Sequence, residues 1–134
     1  MLVTGLRRLA AGAFPAVAIL VSGCAAAPPA APVNRAFDGA YRHVVSLSSV
    51  VPHGPGCPSP SQDVRAAEVR DGQFSLLYNS VQGTYLIGPV AADGTIQAEG
   101  RLASGVVRFQ GRIADGRLSG VATSPNCVYA YTPA

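Results

Sequence analysis

Asp-Gly pairs constrain the fold of this 134-residue chain more than any other feature of its sequence. Both residue types tolerate a positive φ, which the tight turns of β-hairpins require, so each pair predicts a hairpin. The last three pairs recur every 22 residues, a length that suits one hairpin followed by a return connection. The four pairs are Asp38-Gly39, Asp71-Gly72, Asp93-Gly94 and Asp115-Gly116.

Apolar residues beside the last three turns lie where a hairpin would pair them, and polar and apolar residues alternate along the intervening runs. The expected pairs are Val69 with Phe74, Ile113 with Leu118 and, across a three-residue loop, Val90 with Ile96. The alternating runs are Tyr41, His43, Val45 and Leu47; Phe74, Leu76 and Tyr78; Ile96, Ala98, Gly100 and Leu102; and Val107, Phe109, Gly111 and Ile113. This pattern is typical of an antiparallel sheet buried on one side.

The predicted fold class is all-β, a small antiparallel meander of seven or eight short strands. No segment after residue 34 shows a helical period with caps. Closing the sheet would remove its exposed edges, so we expect a closed or nearly closed barrel. Within residues 52–62, a loop rich in proline and glycine, we expect Cys57 to connect to a final strand at residues 127–131.

The first 23 residues carry the parts of a secretory signal. Arg7 and Arg8 precede an apolar run of about 13 residues, too short for a spanning helix, which needs about 20. Val21-Ser22-Gly23-Cys24 resembles the lipobox of bacterial lipoproteins. The resemblance implies cleavage between Gly23 and Cys24, a diacylglyceryl thioether on Cys24 and acylation of the new amine. An ordinary secretory signal with a chance cysteine and an uncleaved transmembrane anchor are the alternatives.

Three segments follow from this pattern: a signal peptide at 1–23, a lipidated cysteine with a tether at 24–34, and a β-barrel-like domain at 35–134. Prolines and alanines dominate the tether and favour extended polyproline geometry, which spaces the domain from the bilayer. Ala25 follows the cysteine, where enterobacterial lipoproteins kept in the inner membrane carry aspartate. We therefore expect a lipid-anchored envelope protein, in the outer membrane and facing the periplasm.

Charge and cysteine content narrow the function classes. Arg7 and Arg8 supply two units of the net charge of +3, so residues 24–134 are nearly neutral and nucleic-acid binding is not expected. With Cys24 lipidated, Cys57 and Cys127 remain as a pair in an oxidising compartment, and we expect a disulfide. A metal or redox role is the alternative, although the sequence has no CxxC motif.

Candidate catalytic residues are few, so we expect no enzyme, metal or cofactor. A hydrogen-bonded structural role is favoured for His43, on the inward face of the first strand, and a solvated position for His53. Asp71, Asp93 and Asp115 are expected to cap backbone N–H groups in turns. The sequence does not show whether Glu68, Glu99 and Asp63 pair with other catalytic groups, and it contains no nucleophile elbow.

Two further side-chain groups have alternative interpretations. Arg101, Arg108, Arg112 and Arg117 occupy outward positions, either as a solvated face or as a contact surface for lipopolysaccharide phosphates or an acidic protein. The five tyrosines are expected in the core and at the barrel rim, with a cavity lining as the alternative. They are Tyr41, Tyr78, Tyr85, Tyr129 and Tyr131.

The mature domain resembles a family of small proteobacterial envelope lipoproteins. The matching features are Phe37-Asp38-Gly39-x-Tyr41, Cys57, the Asp-Gly turns, Phe109-x-Gly111 and Cys127-x-Tyr129. This resemblance implies no particular activity. Ala103-Ser104-Gly105 is similar to part of the inhibitory motif of membrane-bound lysozyme inhibitors, which are lipidated β-barrels of this size, but the rest of that motif is missing.

The function expected from the sequence is non-catalytic, through contacts with an envelope protein or another envelope component. The first alternative is a small-ligand-binding barrel, for which the small inward residues Ala98, Gly100, Gly111 and Gly120 would leave space. The second is a lysozyme-inhibitor-like lipoprotein.

Overall fold

Eight antiparallel strands form a closed barrel in a computed structural model, which describes residues 23–24, 26–28, 32–48 and 56–134. Each strand pairs with the next, and β8 returns to pair with β1. The strands are β1 (Gly39–Leu47), β2 (Arg65–Arg70), β3 (Gln73–Asn79), β4 (Thr84–Pro89), β5 (Thr95–Leu102), β6 (Gly105–Ala114), β7 (Arg117–Thr123) and β8 (Val128–Pro133). The predicted all-β meander is confirmed, and it is closed.

Some predicted features lie outside the described residues. Of the signal segment only Gly23 is described, and residues 25, 29–31 and 49–55, with His53 among them, are not. Cys24 is exposed and its thiol is free. A helix able to span a membrane is not found in the described part of the chain.

Two Asp-Gly pairs form the two-residue hairpin turns that the sequence predicts. The φ angles are 51° and 73° at Asp71 and Gly72, and 53° and 70° at Asp115 and Gly116. Positive φ at both central positions is the signature of a type I′ turn, whose twist matches that of the flanking strands. The predicted cross-strand pairs Val69–Phe74 and Ile113–Leu118 are confirmed.

The third predicted hairpin has the expected three-residue loop. Val90 and Ile96 form a bridge on either side of it. The carboxylate of Asp93 accepts a hydrogen bond of 3.0 Å from the backbone N–H of Thr95, which is the predicted capping role. Hydrogen bonds from Thr95 to the charged form lower the pKa of Asp93.

The prediction for Asp38-Gly39 was wrong, because this pair forms no hairpin turn. It lies at the start of β1, and the Asp38 carboxylate instead accepts hydrogen bonds from the backbone N–H groups of Asp71 (2.9 Å) and Gly72 (3.0 Å). Asp38 therefore caps the β2–β3 turn from a distant part of the chain.

Capping was also predicted for the side chains of Asp71 and Asp115, and that prediction was wrong. The Asp71 carboxylate pairs with Arg35 at 2.8 Å, and within the described residues the Asp115 carboxylate has no hydrogen bond or ion pair. In both type I′ turns the aspartate contributes through its backbone, because this residue type tolerates the positive φ that the turn requires.

The two ends of the barrel differ. We call the end with the turns at 71–72, 92–94 and 115–116 the Asp-Gly end, and the opposite end, with Cys57 and Cys127, the disulfide end. Phe37 and Tyr41 pack against the core at the Asp-Gly end, where the Tyr41 hydroxyl donates a 2.6 Å hydrogen bond to the Phe37 carbonyl. Apolar side chains therefore close this end.

The middle of the barrel is filled by stacked aromatic rings. Phe74 and Phe109 are fully buried and lie face to face, with ring centroids 5.0 Å apart. Gly111 and Gly120 pair across β6 and β7, and the Phe109 ring occupies the space beside them; a Cβ on Gly111 would lie 2.5 Å from Phe109 Cε1. These small inward residues leave no open space, since an aromatic ring fills it.

Candidate functional site

A cavity of about 590 Å³ opens at the disulfide end. Inward side chains of β1, β3, β5 and β8 form its walls, and the segment 56–61 and the β7–β8 loop form its rim. The volume lies in the range of pockets that enclose drug-sized ligands, about 300–1,000 Å³. The cavity is thus the feature of the described barrel best suited to hold a small molecule.

The predicted Cys57–Cys127 disulfide is confirmed, and it is part of the cavity rim. The two Cα atoms are 5.6 Å apart, within the usual span of a disulfide. Tyr129 adds a second connection, because its hydroxyl donates a 2.7 Å hydrogen bond to the carbonyl of Pro58. The disulfide and the Tyr129 hydroxyl together hold the segment after Gly56 against β8. This contact fixes one side of the cavity opening.

Tyr131 and His43 form the floor of the cavity. The ring of Tyr131 packs edge-on against Phe109, at a centroid distance of 5.5 Å, so the aromatic core continues directly beneath the floor. His43 lies beside it, with ring centroids 5.3 Å apart. Both side chains are almost completely buried, at 4% and 2% exposure.

The hydroxyl of Tyr131 lacks a hydrogen-bond partner within the described residues, although its side chain lines the cavity. Burial raises the pKa of this phenol strongly, and the neighbouring Tyr78 and Tyr129 raise it further, so the hydroxyl is neutral. Because Tyr131 lines the cavity, its hydroxyl is available to solvent or to a ligand.

His43 is inward and buried, as predicted, but its hydrogen bonding is weak. Its Nδ1 lies 3.4 Å from the carbonyl oxygen of Tyr41, beyond the usual hydrogen-bond range, and Nε2 has no partner among the described residues. Burial lowers the pKa of His43; the contact with Tyr41 opposes this shift, and the positive charge of Arg65 reinforces it. His43 therefore presents a neutral ring nitrogen near the cavity.

Arg65 supplies positive charge at the rim, and the sequence analysis did not identify it. It lies directly opposite His43 in the β1–β2 register and continues the inward row of Ala67 and Val69 on β2. It has no ion pair within the described residues, and no carboxylate belongs to the described cavity lining. The alternation Arg65-x-Ala67-x-Val69 is the sequence signal that would have placed this residue on the inward row of β2, where its exposed side chain lies at the cavity rim.

The five tyrosines divide between packing and the cavity. Tyr78, Tyr129 and Tyr131 line the cavity, Tyr41 packs at the Asp-Gly end, and Tyr85 is half-exposed on the outer face. Burial raises the pKa of Tyr78, and the Ser124 side chain opposes this shift. The ring of Tyr78 meets Tyr129 edge-on at 6.0 Å. The cavity walls thus combine three tyrosine rings with several serine and asparagine side chains.

The acidic residues do not assemble into a site. Glu99 pairs with Arg108 at 3.0 Å, Glu68 contacts Arg70 at 3.5 Å, and Asp63 hydrogen-bonds Ser61. Within the described part of the chain, no group of three or more histidine, cysteine or acidic side chains is placed to hold a metal ion.

The four outward arginines are dispersed rather than clustered. Arg101 lies opposite Val106, and Arg117 lies opposite Ala114. These two partners are eight residues apart on β6, a separation of about 27 Å. Arg108 is paired with Glu99. The possible contact surface of Arg101, Arg108, Arg112 and Arg117 stays a prediction, and its members are spread along the length of β6.

Comparisons of the chain with protein-family models, with curated proteins and with solved structures found no match. The functional argument therefore rests on the barrel and its cavity.

Proposed function

We propose that this chain is a lipid-anchored envelope protein whose barrel binds a small organic ligand, without catalysing a reaction. The observation that carries the proposal is the cavity of about 590 Å³ at the disulfide end. Three tyrosine rings give the cavity contact area for a ligand, and serine, asparagine, His43 and Arg65 side chains offer polar groups around them. The anchor at Cys24 and the envelope location are supported by the lipobox resemblance.

A non-catalytic role is supported by the composition of the cavity. Nucleophilic catalysis needs a nucleophile within hydrogen-bond reach of a base that a third group orients. His43 is the histidine of the described cavity lining, and no carboxylate in that lining orients it. The groups at the floor suit recognition of a ligand better than chemistry on it.

The test is native mass spectrometry of the full chain purified from membranes of its host. We expect a non-covalent small-molecule adduct on the wild-type protein and its loss in Leu102→Trp, which places an indole in the cavity. Ile87→Trp is the matched control, because Ile87 is exposed on the barrel exterior, and it should retain the adduct. A wild-type protein without an adduct, whose melting temperature no envelope extract raises, would overturn the proposal.

Contact with another envelope component is a second proposal. Leu77, Tyr85 and Ile87 form an apolar patch on the outside of β3 and β4, where Leu77 pairs with Tyr85 and each side chain is 36–49% exposed. A photo-crosslinking residue at position 85 should give a discrete adduct in intact cells. The same residue at Gln110, on the exposed face of β6, is the control. Equal labelling at both positions would contradict a specific contact.

A lysozyme-inhibitor-like role is the narrowest form of this second proposal. Ala103 and Ser104 form the exposed turn between β5 and β6 at the disulfide end. Inhibition of a lysozyme by the full chain, lost in Ser104→Arg, would support this role. The absence of inhibition at micromolar protein would contradict it.

A further inference from the structure

We infer that the cavity selects a small organic monoanion, a carboxylate on an apolar and preferably aromatic body. This inference rests on the proposed ligand-binding function and assigns the chemical class of the ligand. It depends on three neighbouring groups of the described barrel: the hydroxyl of Tyr131, the ring of His43 and the guanidinium of Arg65.

The Tyr131 hydroxyl supplies a donor that the protein itself does not use. It is attached to a side chain that is 96% buried and lines the cavity, and within the described residues it has no hydrogen-bond partner. Buried polar groups in proteins are almost always hydrogen-bonded to protein or water, so this donor is available to water or to a ligand group that enters the cavity. Because its pKa is raised, the phenol remains protonated and able to donate.

The charge around the cavity favours an anion. Arg65 lines the cavity, lies opposite His43 in the β1–β2 register, and has no ion pair within the described residues. The described lining contains no carboxylate that would repel an anion. One guanidinium compensates one negative charge, whereas a dianionic phosphate would bring an uncompensated charge into a partly buried site.

The walls favour an aromatic body. Tyr78 and Tyr129 present rings to the cavity, with Leu102 and Val45 as apolar neighbours. Aromatic pairs gain about 0.5–1.5 kcal/mol beyond their area burial, so a planar ring that packs against these two tyrosines is favoured. The ligand would then bind in a single orientation. Its aromatic body would lie between the tyrosine walls, and its carboxylate would point toward Tyr131 and Arg65.

The test compares 2-naphthoate with 2-naphthamide, which has the same shape but no charge. Binding to the lipidated full chain in phosphatidylcholine nanodiscs is measured by calorimetry, with empty nanodiscs as the baseline. We expect naphthoate to bind at least about tenfold more tightly than naphthamide, a factor that corresponds to about 1.4 kcal/mol. Arg65→Gln should remove this preference by weakening naphthoate binding at least about tenfold. Arg101→Gln, on the barrel exterior, is the matched control and should change neither affinity.

Tyr131→Phe keeps the ring and removes only the hydroxyl, so it should weaken naphthoate binding about threefold to tenfold. Equal binding of naphthoate and naphthamide, with both lost in Leu102→Trp, would overturn the carboxylate inference while retaining the proposed ligand-binding function. Tighter binding of 2-naphthyl phosphate than of naphthoate would overturn the monoanion assignment. Failure of every probe to bind would overturn the inference; an adduct on the wild-type protein would still support the proposed function.

Discussion

Tyr129 and Tyr131 both point into the barrel from β8, yet their hydroxyl groups have different surroundings. The Tyr129 hydroxyl donates to the Pro58 carbonyl at 2.7 Å, whereas the Tyr131 hydroxyl has no partner among the described residues. At the scale of single residues, one hydroxyl therefore contributes a hydrogen bond to the fold, and the other contributes none within the described residues.

Removing each of these hydroxyls should have opposite consequences for stability. Tyr129→Phe should lower the free energy of unfolding by about 1–2 kcal/mol, because it leaves the Pro58 carbonyl without its donor. Tyr131→Phe should leave the free energy of unfolding unchanged or raise it, since this variant lacks a hydroxyl that has no hydrogen-bond partner among the described residues. Urea unfolding of the two variants measures this difference. Equal destabilisation of both would mean that the Tyr131 hydroxyl has a protein partner.

His43 should make stability depend on pH. Burial lowers its pKa below the ordinary 6.5 of the unfolded chain, so protons bind preferentially to the unfolded state. The contribution of neutral His43 is fully present above about pH 6.5 and is lost as the pH falls toward its lowered pKa. One proton gives a slope of at most about 1.4 kcal/mol per pH unit.

Unfolding of His43→Phe at several pH values measures the contribution of this histidine, and the variant should lose most of the slope. His53→Gln is the control and should keep it. A slope that survives in His43→Phe and disappears in His53→Gln would assign the titration to the other histidine.

At the scale of elements, β6 and β7 come together through two glycines that accommodate the Phe109 ring. Gly120→Ala should lower the free energy of unfolding by about 1–3 kcal/mol, because the added methyl group would collide with Phe109 Cζ. Phe109→Leu in the same chain should recover part of this loss. A double-mutant cycle measures the coupling, and strictly additive effects would contradict the contact.

The disulfide should be the largest single stabilising link between elements. It closes a loop with a sequence separation of 70 residues, for which the chain-entropy model gives about 4 kcal/mol. The double variant Cys57→Ala/Cys127→Ala should lose up to this amount in urea unfolding, and reduced wild-type protein should match it. Two free thiols in the non-reduced protein, detected by mass spectrometry, would contradict the bond.

The strands were predictable from local patterns, and the cavity was not. Asp71-Gly72 and Asp115-Gly116 determine their turns through positive φ, which is a property of the two residues alone. The location of free space depends on which distant side chain fills it: Phe109 occupies the space beside the small residues, and the cavity opens elsewhere. Asp38 likewise caps a turn 33 residues away, which no local pattern indicates.

At the scale of the whole molecule, the proposed anchor and the barrel have separate tasks. The Cys24 thiol is free and exposed, and the disulfide uses the two remaining cysteines of the chain. This division is the one expected if Cys24 carries lipid: one cysteine fixes the location of the protein, and the other two shape the mouth of the barrel.

Cys24→Ala should abolish lipid attachment without affecting the barrel. Cells grown with radiolabelled palmitate should label the wild-type chain and leave the variant unlabelled, with its signal segment uncleaved. Cys57→Ala is the matched control, because it removes a different cysteine and should still be labelled. Continued labelling of Cys24→Ala would refute the lipoprotein assignment.

The pairing of β1 with β8 has a consequence for how the chain folds. Adjacent hairpins can form as soon as their own residues are available, but β1 keeps one unpaired edge until β8 arrives from the other end of the domain. Contacts of such long sequence separation form late and slowly. Until β8 pairs, the sheet has two open strand edges, on β1 and β7, through which it could pair with other chains.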